Sequence, residues 1–134
     1  LMNEIKEKVN CLHLENNVKF LGQRNDANEL YQAFDVFLLP SLYEGLPVVG
    51  VEAQATGLLC FFSDDMTKET KILDSTVFMS LNQKPDYWAD TILKYQYNYI
   101  RKNTVNEISN NNFNINLEAE KLEKFYREKF GEII

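Results

Sequence analysis

Two short apolar runs, within "DVFLLP" at 35–40 and "LLCFFS" at 58–63, constrain this 134-residue chain more than anything else in it. A strand with one wet face alternates apolar and polar residues, whereas a continuous apolar run of this length suits a strand covered on both faces. Covering both faces of a sheet calls for helices on either side, and the segments around these runs supply them. In "RNDANELYQAF", Ala27, Leu30, Tyr31 and Phe34 share one helical face, and Asp26 with Glu29 reads as a capping box. Pro47 suits a first helical turn and Gly57 the position just past a helix end, so a helix is predicted over 47–56 despite its valines. "NVKFLG", closed by Gly22, and "TVFMS" read as two further strands. Met2, Ile5, Val9 and Leu12 predict a helix over 2–14, with His13 an ordinary helix residue. Trp88, Ile92, Tyr95 and Tyr99 stripe one over 86–102. "SDDMTKET" reads as a polar loop leading into a short helix and "ISNNNFNIN" as a loop. Leu122, Phe125 and Tyr126 are expected to face inward on a final helix. Strands alternating with helices mean α/β with a parallel sheet, and the length suits one domain over 1–134.

Charge narrows the function. The net charge is −6 and the longest basic cluster is the pair Arg101-Lys102, so no basic face is available for nucleic acid. No apolar run approaches the roughly 18 residues of a membrane span, and "LMNEIKEKVN" has no signal-peptide core. Cys11 and Cys60 lie far apart with no CxxC partner; a disulfide or metal role stays open, and two free thiols of a reducing cytoplasm are the favoured reading. His13 is the single histidine, which excludes a His-rich zinc site and leaves little room for a His-assisted nucleophile.

The segment "PSLYEGLPVVGVEAQATG" at 40–57 places two carboxylates, Glu44 and Glu52, in small apolar surroundings. In open parallel sheets, ligands sit outside the carboxyl ends of the strands, which is where the loop after "DVFLLP" lies. Gly45 permits close backbone approach, and the amides of Leu46 and Val48 lie at a helix start, which favours an anion such as phosphate. Glu52 lies about 7.5 Å along the helix from Pro47 at about 1.5 Å per residue. A carboxylate among Val48, Val51 and Ala55 costs several kcal/mol unless it is paired or hydrogen-bonded. An ionised carboxylate accepts two donors at once, and a vicinal diol offers two. Glu44 and Glu52 reading hydroxyls while the helix end holds phosphate would bind a nucleotide-sugar.

The same stretch resembles the donor-binding signature of retaining glycosyltransferase family 4, in which a Glu-x7-Glu pair follows a strand ending in Pro-Ser. "VKFLGQRNDANELYQAFDVFLLP" resembles the family's preceding segment. "YWADTIL" and "NINLEAEKLEKFY" resemble the tail of its bacterial capsular and exopolysaccharide members. The resemblance implies a Rossmann-like parallel sheet with flanking helices, part of the C-terminal domain of a GT-B enzyme. It implies Glu44 as the catalytic-site carboxylate against the donor hexose and Glu52 on the ribose diol. Gly45, Leu46 and Val48 would offer amides to sugar and diphosphate, with Gly22 and Arg24 near the base. It further implies a UDP- or GDP-sugar donor, no resident cofactor, no metal (the chain has no DxD motif), and a saccharide or lipid-linked acceptor. Its location would be cytoplasmic, with the full-length protein peripheral to the inner face of the cell membrane. Two departures stand out: Leu59 occupies the place of a common proline, and "SDDMTKET" lacks the usual Gly-Gly turn, so Glu69 gets no ligand role.

Against family members of a few hundred residues, the resemblance starts partway into the C-terminal domain. Two expectations follow. The strands between "NVKFLG" and the other three are absent, leaving a gap to be closed by repacking or by self-association through sheet edges. The Arg and Lys that answer the donor diphosphate are also absent. The purified chain is therefore expected to show no turnover of a nucleotide-sugar, and measurable turnover would refute this. A non-catalytic receiver-like module needs an acidic pair, a phosphorylatable Asp and a Lys after successive strands. Asp64-Asp65 follows a strand, but no such trio falls into place. A partner-binding module using the aromatic helix is the remaining alternative, although such stripes are usually core.

Overall fold

The computed structural model describes residues 1–131. It contains helices α1 (Met2–Cys11), α2 (Ala27–Ala33), α3 (Val48–Ala55), α4 (Pro85–Gln96), α5 (Val105–Asn110) and α6 (Ile115–Phe130), and strands β1 (Val36–Leu39), β2 (Leu59–Ser63) and β3 (Val77–Met79). A single turn of 3-10 helix covers Lys68–Thr70. The strands form one parallel sheet in the order β1-β2-β3, with Val36 opposite Leu59 and Phe61 opposite Val77. The α/β architecture with a parallel Rossmann-like sheet is as expected, but of the two apolar runs only β2 is covered on both faces; β1 lies at the sheet edge, only partly buried and with Leu38 exposed.

β2 explains why. All its residues are buried, and they divide alternately between two cores. Cys60 and Phe62 join Tyr31 and Ala53 beneath α2 and α3, while Leu59 and Phe61 join Met79 and Trp88 beneath α4. Each fully buried Phe contributes about 1.5–3 kcal/mol by leaving water.

α3 packs closely through small residues. A Cβ on Gly50 would lie 3.1 Å from the ring tip of Phe62, so the helix rests almost on the sheet. Valine and glycine are poor helix formers, and tertiary burial overrides their propensity here. Gly57 ends α3 at φ 72°, its amide donating to Gln54 O at 2.8 Å and that of Leu58 to Ala53 O at 3.2 Å, as expected of a left-handed helix stop.

Several expected elements differ. "NVKFLG" forms no strand: Phe20 and Leu21 stay exposed, because no neighbouring strand is there to satisfy the backbone. Asp26 does not cap α2 with its side chain; its carboxylate takes the Arg24 guanidinium instead. His13 lies outside α1, at φ 55°, as the left-handed residue of its C-terminal turn. The aromatic helix stops at Gln96, and Tyr99 lies beyond it. The asparagine-rich stretch is partly helical. Its first residues close α5, Asn112 at φ 64° makes the turn, and Asn114 caps α6 by accepting from Asn116 N and Leu117 N. Leu122, Phe125 and Tyr126 are about half exposed rather than inward, since no described element covers that face of α6.

The segment after α4 fastens the bases of α2 and α3. Arg101 donates to the carbonyls of Tyr31, Gln32 and Phe34 at the end of α2, where the helix dipole favours a cation. Tyr99 donates to Gly57 O at 2.9 Å and Thr104 to Ala55 O at 2.7 Å. This strap lies so close that a Cβ on Gly57 would be 2.6 Å from Lys102 O. Gly57→Ala is therefore expected to destabilise the fold by about 2–3 kcal/mol, from left-handed strain plus displacement of the strap. Urea denaturation with an unchanged m value would measure it.

Candidate functional site

The polypeptide leaves the carboxyl end of β1 at Leu39, passes Pro40–Leu46 and enters α3 at Val48, with Pro47 extended as its N-cap. The loop and the first turns of α3 carry the predicted Glu44, Gly45, Leu46, Val48 and Glu52. Glu44 is half-buried, and its Oε1 accepts from Ser41 Oγ at 3.0 Å. Gly45 has open space around it. Leu46 and Val48 are largely exposed, and the amides of Gly45, Leu46 and Val48 donate to nothing among the described residues. Val48 opens the first turn of α3, where unspent amides carry partial positive charge, while Gly45 and Leu46 lie in the loop before the N-cap.

Glu52 departs from the sequence expectation. It is exposed, because α3 buries its opposite side, Gly50, Ala53 and Gln54, against the sheet. It does not carry the desolvation cost of a carboxylate in an apolar core. Its Oε2 accepts from the hydroxyl of Tyr31, which reaches across from α2 at 3.5 Å. Tyr31 itself is buried, and burial first, then the nearby charge of Glu52, pushes its phenol above the ordinary range.

Gly22, at φ 68°, and Arg24 lie on the extended segment before α2. The Arg24 guanidinium is engaged by Asp26, which holds that carboxyl below the usual carboxylate range and raises the guanidinium in turn. No hydrogen bond or ion pair joins either residue to Glu44 or Glu52. Neither glutamate has an ion-pair partner among the described residues. Lys68, in the connection after β2, is turned away onto the Phe78 ring at 3.8 Å and donates to Asp64 O at 3.1 Å. No group of three His, Cys, Asp or Glu among the described residues could hold a metal. Both cysteines are free, and burial pushes the Cys60 thiol up to about 12.

One residue that supports the site escapes a motif reading. Gln54 is fully buried, two residues after Glu52 on the inner side of α3. Its amide nitrogen donates to Gly50 O at 3.0 Å and Thr70 O at 2.7 Å. Its carbonyl oxygen accepts from Ile72 N, Leu73 N and Thr76 Oγ1 at 2.9, 3.1 and 2.7 Å. A glutamine inside an apolar helix was the available signal, since such a group must find partners when buried.

Residues 2–96 match the family described as Glycosyl transferases group 1. The chain belongs to that family. EpsF of Bacillus subtilis (strain 168), provisionally named a glycosyltransferase, is 45% identical over 95 residues, which are 70% of this chain and 25% of EpsF. An Escherichia coli UDP-Gal:alpha-D-GlcNAc-diphosphoundecaprenol alpha-1,3-galactosyltransferase is 45% identical over 65 residues, 48% of this chain and 17% of that protein. The capsular polysaccharide biosynthesis glycosyltransferase CapH of Staphylococcus aureus is 28% identical over 118 residues, 87% of this chain and 32% of CapH. The chain thus spans between about a sixth and a third of these relatives. No solved structure gives a significant match. No described helix is long and apolar enough to cross a membrane.

Replacing Gln54 by leucine would leave two backbone amides and a hydroxyl buried without partners, each costing about 1–3 kcal/mol. Gln54→Leu is expected to destabilise the fold by about 3–5 kcal/mol, read from the urea midpoint. A loss below about 1 kcal/mol would show that the connection before β3 finds other partners.

Proposed function

We propose that this chain is the donor-binding region of a retaining family 4 glycosyltransferase of the GT-B type. The reaction transfers a hexose from a nucleotide-diphosphate sugar, such as a UDP- or GDP-sugar, in capsular or exopolysaccharide synthesis. The observation that carries the reading is the pairing of two carboxylates, Glu44 and Glu52, with the unspent amides of Gly45, Leu46 and Val48 on one loop-to-helix turn. The names of the relatives point the same way: one uses a UDP-sugar on a diphosphoundecaprenol-linked acceptor, and one serves capsule synthesis.

In this reading Glu44 accepts hydroxyls of the transferring sugar near its reacting carbon. Glu52 accepts the ribose diol, and the amides at the start of α3 face the sugar and the diphosphate. Gly22 and Arg24 border the base. The donor is the substrate, with no resident cofactor and no metal in the site. The acceptor, a saccharide or a lipid-linked one, binds outside these residues, at the cytoplasmic face of the membrane. The open edge of β1 is where a further strand of the sheet, or a second copy, adds.

Calorimetric titration of the full-length natural protein with UDP-, GDP- and ADP-sugars tests this. Glu52→Ala is expected to weaken the bound donor about 10-fold or more, the worth of hydrogen bonds to a charged group. Glu44→Ala is expected to lower kcat about 100-fold while bare nucleotide binds as before, because its contacts tighten on the reacting sugar. Unchanged affinity in folded Glu52→Ala, or unchanged turnover in Glu44→Ala, would remove the respective role.

A further inference from the structure

Each candidate carboxylate is met by one neutral hydroxyl of the chain and by no cation among the described residues. Ser41 Oγ holds Glu44 Oε1 at 3.0 Å, and Tyr31 OH holds Glu52 Oε2 at 3.5 Å. The second oxygen of each carboxylate receives no donor from the described residues.

The two hydroxyls differ in how they are fixed, but both are fixed. The Tyr31 ring sits edge-on to Phe37, with centroids 5.8 Å apart, and its residue is 6% exposed. Its main-chain carbonyl accepts from Arg101 at 3.2 Å. Ser41 Oγ also lies 3.3 Å from Tyr43 O, and a hydroxyl has a single proton to give. The nearer, charged acceptor wins it, because hydrogen bonds to an ionised group are about twice as strong.

We infer that Tyr31 and Ser41 are positioning residues of the donor site, each hydroxyl fixing one carboxylate oxygen and leaving the other to accept from a hydroxyl of the nucleotide-sugar. This rests on the reading of Glu44 and Glu52 given above. A bidentate arginine would occupy both oxygens, whereas a hydroxyl occupies one. The arrangement therefore selects neutral polyol groups at both points of contact.

The test uses the full-length protein with UDP, GDP and ADP, their 2′-deoxy counterparts, and the corresponding nucleotide-sugars. Tyr31→Phe keeps the ring and removes only the hydroxyl. It should weaken the ribonucleotide about 3- to 10-fold and leave the deoxy form unchanged, narrowing the ribose preference. Equal weakening of both forms marks a packing role and overturns the inference for Tyr31. A preference that Glu52→Ala does not narrow overturns the ribose reading of Glu52 itself. Ser41→Ala should lower kcat about 10-fold at unchanged nucleotide affinity, and Ser41→Thr, which restores a hydroxyl, should recover most of it. Loss in both Ser41 variants, or in neither, overturns the inference for Ser41. Wild-type turnover in Glu44→Ala would instead overturn the sugar-binding reading beneath it.

Discussion

The buried side-chain amide of Gln54 is the contact on which the placement of the site depends. Of its five hydrogen bonds, one stays within α3, to Gly50 O, and four join α3 to the connection before β3. Hydrophobic contact is not directional and would tolerate a helix that slides or rolls on the sheet. A buried amide with specific donors and acceptors would not, because each lost partner leaves a polar group without water. Glu52 stands on the outer side of the same helix, so its position is set by a network it does not touch.

The strap from Tyr99 to Thr104 complements this at the other end of the helices. Tyr99 and Thr104 take up carbonyls at the end of α3, and Arg101 does so for α2. The carboxyl-terminal helix ends are thereby satisfied by protein, while at the start of α3 the Val48 amide, with those of Gly45 and Leu46 in the loop before it, donates to nothing among the described residues. The two ends of α3 thus differ: one is fixed by hydrogen bonds from the strap, and the other has unpartnered amides, as the proposed donor reading needs. α2 joins the same scheme, since Arg101 holds its last turn and Tyr31, on that turn, reaches Glu52.

The legible parts of the fold were those governed by burial on both faces or by backbone sterics. "DVFLLP" and "LLCFFS" announced two parallel strands and Gly57 a helix stop, but only the second strand is buried on both faces; β1 stands at the sheet edge with Leu38 exposed. "NVKFLG" misled because a strand is a property of a pair, and its composition does not reveal whether a partner is present. The apolar stripe of α6 misled likewise, since periodicity shows which side of a helix is apolar but not what covers it. Asp26 fits a capping box in sequence, yet Arg24, two residues away, is the stronger competitor for its carboxylate. The position of the carboxylates on the loop and helix start was legible from spacing. Their environment was not: Glu52 is exposed, because the small residues Gly50 and Ala53 decide which side of α3 meets the sheet.

Electrostatics then sets what the loop-to-helix turn can hold by itself. An exposed helix start stabilises an anion by about 0.3–1 kcal/mol, up to about 2 kcal/mol in favourable geometry. A unit negative charge about 8 Å from a carboxylate is repelled by about 2 kcal/mol at an effective dielectric of about 20. With Glu44 and Glu52 both unpaired by cations among the described residues, a bare diphosphate at the start of α3 gains no net attraction from them. Lys68 does not correct this balance, because its ammonium is held on Phe78. A ligand that also places neutral hydroxyls at the carboxylates adds charge-assisted hydrogen bonds that offset this repulsion. Under the proposed donor reading, the chain's own residues would favour the sugar and ribose portions of a donor over its phosphates. Under the same reading, compensating positive charge for a departing diphosphate would come from groups other than these.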